Sequence, residues 1–396
     1  MSSHTEAVKS HSDIFNGNKR IPLSVIIVLL ALSAVSLYGL FNVITQGHTA
    51  SYGTTKTVPW GILISTYVFF VVSSTGLCLI SSMGHVFNIE KYEVIGKRAI
   101  ILAILTICCG FFVIATEIGH PIRMAIYNVI SPNLASAIWW MGTLYGIYLF
   151  CIIVEFYFLM THNHKGAFYA GLAGFIAGIS AHSNLGAVFG FLDARPFWHG
   201  PYLPIYFILS ALISGCALVI IIFNVAYKGE ANMPAKAKEA LLGIAKIFGL
   251  LLGIIIFFDI WKVLTSVYGA PPEKYEAVMT MIAGPLSINF WFFEVLLGML
   301  IPFALILGTK GRSIKAALVA SCSAIVGIFF MRYDLVVAGQ LVPMREATAG
   351  SRVQGVVEGL AQYTPTASEI TIVAGAIILC AGLYLAAERF LNLTED

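Results

Sequence analysis

The chain has 396 residues, of which 59% are hydrophobic and only 11% charged, and its mean hydropathy is +0.88. Soluble domains carry about 25% charged residues, so a soluble globular fold is excluded in favour of a polytopic membrane protein. The net charge of +3 comes from lysines and arginines dispersed over short loops. No basic run interleaved with aromatics occurs, and nucleic acid is not expected as a partner.

In chain order, residues 1–20 are polar and lack an apolar core followed by a small-residue cleavage site. They read as a cytoplasmic tail rather than a cleaved signal peptide. Ten apolar stretches follow, each near the length of about 20 residues that a helix needs to cross the hydrocarbon. They run over 21–43, 60–86, 98–118, 137–160, 167–188, 203–227, 240–267, 289–308, 314–337 and 369–390. The fifth is weakened by Gly171, Gly174, Gly178 and Gly186. Gly174-xxx-Gly178 and Gly249-xxx-Gly253 have the spacing that lets helix backbones approach. The predicted fold class is all-α, a transmembrane bundle over 21–390 with a short tail at 391–396. The stretch 190–201 reads as an ordered interfacial loop. The longest outer loop, 338–368, is expected to cover the outer face or dock a partner.

Fourteen lysines and arginines fall in loops on one side and six on the other. The positive-inside bias therefore places both termini in the cytoplasm, which an even number of spans satisfies. Seven cysteines, at 78, 108, 109, 151, 216, 322 and 380, all lie in apolar stretches without a CxxC or CxxCH motif. They read as small buried hydrophobes, and neither a cluster held by four thiolates nor a covalently attached haem has a local motif here.

The spans carry charges. Glu117, Glu155, His182, Asp259, Lys262, Glu294, Arg332 and Asp334 all lie in or at the end of apolar stretches. Ionisable groups at membrane depth are costly and mark wet cavities or reaction paths. All but Glu155 map to the outer half. Ordinary pairing accounts for part of this: Asp259 and Lys262, three apart, share a helix face, and Lys262 can neutralise Asp259 or Glu294. Arg332 and Asp334 read as close to the interface. Quinol oxidation would use the rest, because it needs hydrogen-bond partners for two ring oxygens, a route for protons and an apolar aromatic slot. Trp60, Trp139, Trp140, Tyr145, Trp261 and Trp291 supply such surface, although tryptophans at span ends also form the interfacial belt.

Several of these strings resemble one family. Val58-Pro-Trp-Gly-Ile-Leu-Ile-Ser-Thr at the start of the second span is similar to the NrfD/PsrC polysulfide reductase membrane subunits. So are Glu117-Ile-Gly-His-Pro-Ile-Arg123, Asn289-Phe-Trp-Phe-Phe-Glu294 and the segment Met331–Gln340. With ten spans the chain is most like the longer HybB/DsrP branch. Asp334 and Ala338 depart from the Asn and Gly common there. The resemblance implies an anchor in the bacterial inner membrane that itself binds no haem or iron–sulfur cluster and exchanges electrons between menaquinone, or another quinone, and a ferredoxin-like iron–sulfur subunit. That subunit would dock on the periplasmic face and serve a periplasmic catalytic subunit or a multihaem cytochrome c. On this reading Glu117 and His120 transfer protons beside the quinone, and Asp259 and Glu294 form an acid path toward Glu155. Trp60 and Trp140 wall the pocket, His182 bonds a quinone oxygen, and Arg123 orients a carboxylate or meets the partner.

Two other readings use the same residues. A di-haem anchor needs paired histidines at one depth, and His120 with His182, or His85 with His162 or His164, are the available pairs. A proton-coupled secondary transporter would use Asp259, Lys262 and Glu294, but such transporters place charges near the midplane between repeats, and no repeat is seen here.

Overall fold

The computed structural model describes residues 14, 17–269, 271–343 and 359–394. Among them no strand occurs, and ten helices are long and apolar enough to cross a membrane. They are α1 (Leu23–Gln46), α2 (Ile62–His85), α3 (Glu90–Glu117), α4 (Ala137–Met160) and α5 (His164–Gly190), then α6 (Tyr202–Tyr227), α7 (Ala235–Val267), α8 (Asn289–Gly308), α9 (Ile314–Leu341) and α10 (Ala367–Phe390). The ten expected spans are all present, and the glycine-rich fifth is a continuous helix.

Local chemistry sets the helix starts. Ser136, Asn163 and Ser313 each accept a hydrogen bond from the backbone N–H three residues on. Thr366 and Glu369 close a reciprocal capping box at the head of α10. α9 ends four residues later than expected. The polar Gln340 stays helical because its amide reaches the Val336 carbonyl and both backbone groups of Trp60. The part of the expected outer loop at 344–358 lies outside the described residues.

The helices pack as two antiparallel four-helix bundles, α2–α5 and α6–α9, joined chiefly along α2 and α6. α2 is buried nearly all round, which explains its lack of a polar face. At the joint, Gly76 of α2 and Gly215 of α6 lie backbone to backbone, with no room for a side chain on either. α1 and α10 form a separate pair laid against α3. The N-terminal segment is bonded to the end of α10, Asn18 N–H to Glu388 O at 2.8 Å and Asn392 N–H to Ile14 O at 2.8 Å. The segment around Asn18 and the end of α10 therefore share one face, called the terminal face below; the opposite one is the far face.

Burial corrects the reading of several side chains. Arg98 and Arg195 read as loop residues in the sequence, yet they are 1% and 8% exposed. Arg332 and Asp334, expected near the interface, are fully buried. Cys108 and Cys322 point outward rather than inward, on surfaces that a bilayer would cover.

A candidate functional site beneath the far face

α7, α8 and α9 carry acids and bases inward at one level. Asp259 is eight residues from the end of α7, Glu294 five from the start of α8, and Asp334 seven from the end of α9. At 1.5 Å per residue each lies within about 12 Å of its helix end. Lys262 Nζ stands 3.1 Å from Asp259 Oδ1 and 3.9 Å from Glu294 Oε1, so the lysine bridges both acids. Tyr206 donates to Asp259 at 3.4 Å, and the Lys262 ammonium lies 5.4 Å from the Tyr206 ring centre. Asp334 faces Glu294 and Asn289. α8 delivers Glu294 from a π-helical stretch, Asn289–Leu300, before reverting to α geometry at Ile301. Single π turns inside helices recur at functional sites.

Arg332 forms the floor of this group. Its guanidinium donates to Ser210 Oγ and lies 4.6 Å from the centre of the Phe207 ring. Phe207 begins an aromatic column: His182 lies edge-on at 5.7 Å, Phe189 at 6.1 Å, and Phe189 packs against Trp60 and Trp198 at 5.4 and 5.2 Å. Trp60 stacks on Trp198 at 5.5 Å and is only half-buried. The column thus leads from the far face to the cluster. The loop 190–201, expected to be ordered, holds its top. The Trp198 indole donates to Leu335 O at 2.7 Å, and Arg195 donates to the carbonyls of Thr57, Gly339, Gln340 and Val342.

The cluster is short of partners. Both oxygens of Glu294 and of Asp334, Nε and Nη1 of Arg332, and Nε2 of His182 are buried without a well-formed hydrogen bond. Buried polar groups in native proteins are otherwise nearly always satisfied, and each orphan costs about 1–3 kcal/mol. Such a concentration is expected where water or a ligand completes the set.

Of the residues singled out in sequence, Asp259, Glu294 and His182 come together here, with Trp60 at the column's top. Glu117 does not join them directly. It ends α3 beside Glu369, and its Oε2 is buried without a partner. Glu369 is held by Tyr363 O–H at 2.7 Å and by the backbone N–H groups of Gly53 and Thr366 at 2.9 and 2.8 Å. Nearby, Tyr52 donates to Thr116 O at 2.8 Å, and burial pushes its hydroxyl up to about 12, so it remains a donor. Tyr363 and Tyr333 rings, 6.3 Å apart, bridge toward Asp334. His120 and Arg123 are exposed, Arg123 over the Tyr127 ring. Trp140 lies against Trp139 with its indole on Leu134 O, rather than opposite Trp60. Trp198 is the tryptophan that stacks on Trp60. Sequence reasoning did not single out Trp198, Tyr206, Ser210 or Tyr363, and it placed Arg332 close to the interface. His85, one candidate haem ligand, has Nε2 2.5 Å from Glu155.

Comparison with known proteins places these strings in context. The family model described as "Polysulphide reductase, NrfD" matches residues 50–344, so the chain belongs to the NrfD family. It is 25% identical to a selenate reductase subunit of Mesobacillus selenatarsenatis, over 80% of this chain and 82% of that one. It is 28% identical to the Hdr-like menaquinol oxidoreductase integral membrane subunit of Archaeoglobus fulgidus, over 89% of each. The NrfD protein of Escherichia coli is 26% identical over 40% of this chain and 49% of its own.

Proposed function

We propose that this NrfD-family protein is the membrane subunit of a respiratory oxidoreductase complex, and that it passes electrons from menaquinol to an iron–sulfur partner. The relatives named as menaquinol oxidoreductase and selenate reductase subunits support that class. The observation that carries the reading is the meeting of an aromatic column with a partner-deficient cluster of acids, lysine and arginine beneath the far face. The Lys/Arg bias supports a periplasmic far face and a cytoplasmic terminal face.

These residues fit a quinone head group. Its ring is flat and apolar, which suits Trp60, Trp198, Phe189 and Phe207. Its two oxygens need hydrogen-bond partners, which the free Nε2 of His182 and the free guanidinium nitrogens of Arg332 supply. A bound quinol supplies two electrons and two protons. Glu294 and Asp334 are the acceptors for the protons, and Lys262 holds the charge of the acids in balance. Asp259 fixes Lys262. Glu117, linked to the cluster through Tyr333, Tyr363 and Glu369, gives protons an outward route, with exposed His120 beyond it. Arg123 faces the partner subunit, which in turn serves a periplasmic catalytic subunit or multihaem cytochrome c.

The test is to purify the chain from its native membranes with whatever it binds. An iron–sulfur signal in the complex and oxidation of a short-chain naphthoquinol, lost in Glu294→Gln, are expected. A solitary chain with no quinol-dependent reduction of an acceptor would overturn the reading.

A further inference from the structure

At the terminal face the ends of α2 to α7 leave a cavity of about 940 Å³ between them. That is the size of a small-molecule site. His85 closes α2, Leu159 stands one residue from the end of α4, and Tyr227 closes α6. Lys97 lies early in α3, His164 opens α5 and Ala235 opens α7. All six line the cavity. It therefore sits where the spans leave the hydrocarbon, at the level of lipid head groups.

Its charges are ordered by depth. Glu90, Glu93, Glu239, Lys91, Lys236 and His164 are exposed and form the rim. Two basic residues form the floor. Lys97 is 3% exposed, and its ammonium donates to Thr394 O at 3.1 Å. The His85 side chain is 8% exposed, and its Nε2 meets Glu155 Oε1 at 2.5 Å. α4 places Glu155 there because Tyr145, Tyr148, Ile152 and Glu155, spaced three, four and three residues apart, form a stripe on its buried face. Gly171 of α5 packs on the same edge of the imidazole, where an added Cβ would stand 3.1 Å from Cδ2 and Nε2. Nδ1, on the other edge, is buried without a well-formed hydrogen bond.

Two long helices also begin at the cavity. Asn163 caps α5 by accepting from the Gly166 N–H at 2.9 Å. α7 follows Pro234, which has no side-chain cap to offer, so the first-turn N–H groups gain no acceptor from the cap. Helix N-termini of this kind carry partial positive charge and bind phosphate.

We propose that this cavity binds a phosphoethanolamine group, with its phosphate toward Lys97, His85 and the start of α7 and its ammonium among the rim acids. A bare phosphate leaves three carboxylates facing an anion, and a bare amine meets a basic floor. A ligand carrying both charges, the anion deeper, matches both layers. The head-group depth assigns the group to phosphatidylethanolamine, and basic pockets between transmembrane helices recur as lipid head-group sites. Its acyl chains leave along Phe158 and Leu159 toward Ile153 and Tyr157, which α4 exposes on the surface a bilayer covers. The bound lipid links the terminal ends of the first bundle to α7 of the second. None of this depends on the quinone reading.

The experiment takes the intact complex in detergent and reads bound lipid by native mass spectrometry. One phosphatidylethanolamine per chain is expected, held at least about tenfold more tightly than phosphatidylglycerol or phosphatidylcholine with the same acyl chains. Phosphatidylglycerol lacks the cation, and choline has no N–H for the rim acids. Lys236→Glu is expected to weaken this binding at least about tenfold. An acid in the first turn suits the helix dipole, so the variant removes the phosphate contact without weakening α7. Lys97→Gln, at the floor, is expected to weaken it likewise. Glu93→Gln combined with Glu239→Gln is expected to keep binding and lose the discrimination against phosphatidylglycerol. Free phosphorylethanolamine forms a second arm: if the complex binds it but retains no lipid, the assignment to phosphatidylethanolamine is overturned and the head-group site stands. Equal retention of all three lipids, or retention of phosphatidylethanolamine that Lys236→Glu and Lys97→Gln leave unchanged, overturns the proposal.

Discussion

Two buried charge groups at opposite ends of the molecule are alike in burial and opposite in what surrounds them. Near the terminal face, Arg98 and Glu388 are both 1% exposed and fully engaged. Both Glu388 oxygens accept from Arg98, at 2.9–3.3 Å, and Tyr384 adds a further donor. The guanidinium also packs on the Phe223 and Tyr227 rings. Beneath the far face, Glu294, Asp334 and Arg332 are equally buried but leave six polar atoms without a well-formed hydrogen bond. Depth in the bilayer therefore does not distinguish structure from function. The deficit of partners does. A closed pair ties α3 to α10, whereas the open cluster is the group proposed above to meet the quinone.

The comparison breaks most clearly if the closed pair is opened. Arg98→Ala strands a buried carboxylate, and loss of one partner of a buried pair costs about 3–5 kcal/mol. A large drop in the thermal unfolding midpoint of the solubilised complex is expected. Arg98→Met combined with Glu388→Leu should recover part of it, because replacing both charges strands no charge, while the Tyr384 hydroxyl loses its acceptor. The open cluster should behave in reverse. Glu294→Gln is expected to lower quinol turnover on the order of 10²-fold, within the usual range for loss of an acid–base group. Its unfolding midpoint should fall far less than that of Arg98→Ala, since the ion pair of Glu294 with Lys262 is a long one at 3.9 Å and the amide keeps the shape of the acid. A stability loss as large as that of Arg98→Ala would end the distinction.

Smaller effects sharpen it. Arg195→Ala frees several carbonyls at the end of α9 and is expected to cost about 1–3 kcal/mol. It should also raise the quinol KM more than it lowers kcat, because the loop positions Trp198 and not the acids. The smallest change is expected at Glu117, which lies outside the cluster. Glu117→Gln should slow turnover by less than about tenfold, or under 1.4 kcal/mol, with the unfolding midpoint held. Turnover lost as completely as in Glu294→Gln would move the reaction centre toward α3.

Much of this is legible without any coordinates. Ten spans follow from the length of the apolar runs, and the outward crowding of Asp259, Lys262, Glu294 and His182 follows from counting spans. What the chain does not spell out is which distant side chains meet. Arg98 and Glu388 are 290 residues apart and each reads as a loop-edge charge. Trp140 and Trp198 are equally available aromatics in the sequence, and only the packing of the 190–201 loop against α9 selects the second. Arg332 reads as solvated when α9 is ended at residue 337, and Gln340 extends that helix by binding the Trp60 backbone. The Tyr145–Tyr148–Ile152–Glu155 stripe is present in the spacing and is the one signal a closer periodicity count would find.

α1 leans chiefly on α10 and is otherwise little covered, and both fall outside the span matched by the family model. α1 is therefore left with little packing until α10 has entered the bilayer. Completion of α10 then acts as a clasp: it captures α1, and its Glu388 supplies the carboxylate that closes on Arg98. Without that helix the guanidinium keeps only the Tyr227 hydroxyl and the Phe223 and Tyr227 rings, and a buried positive charge stays unneutralised.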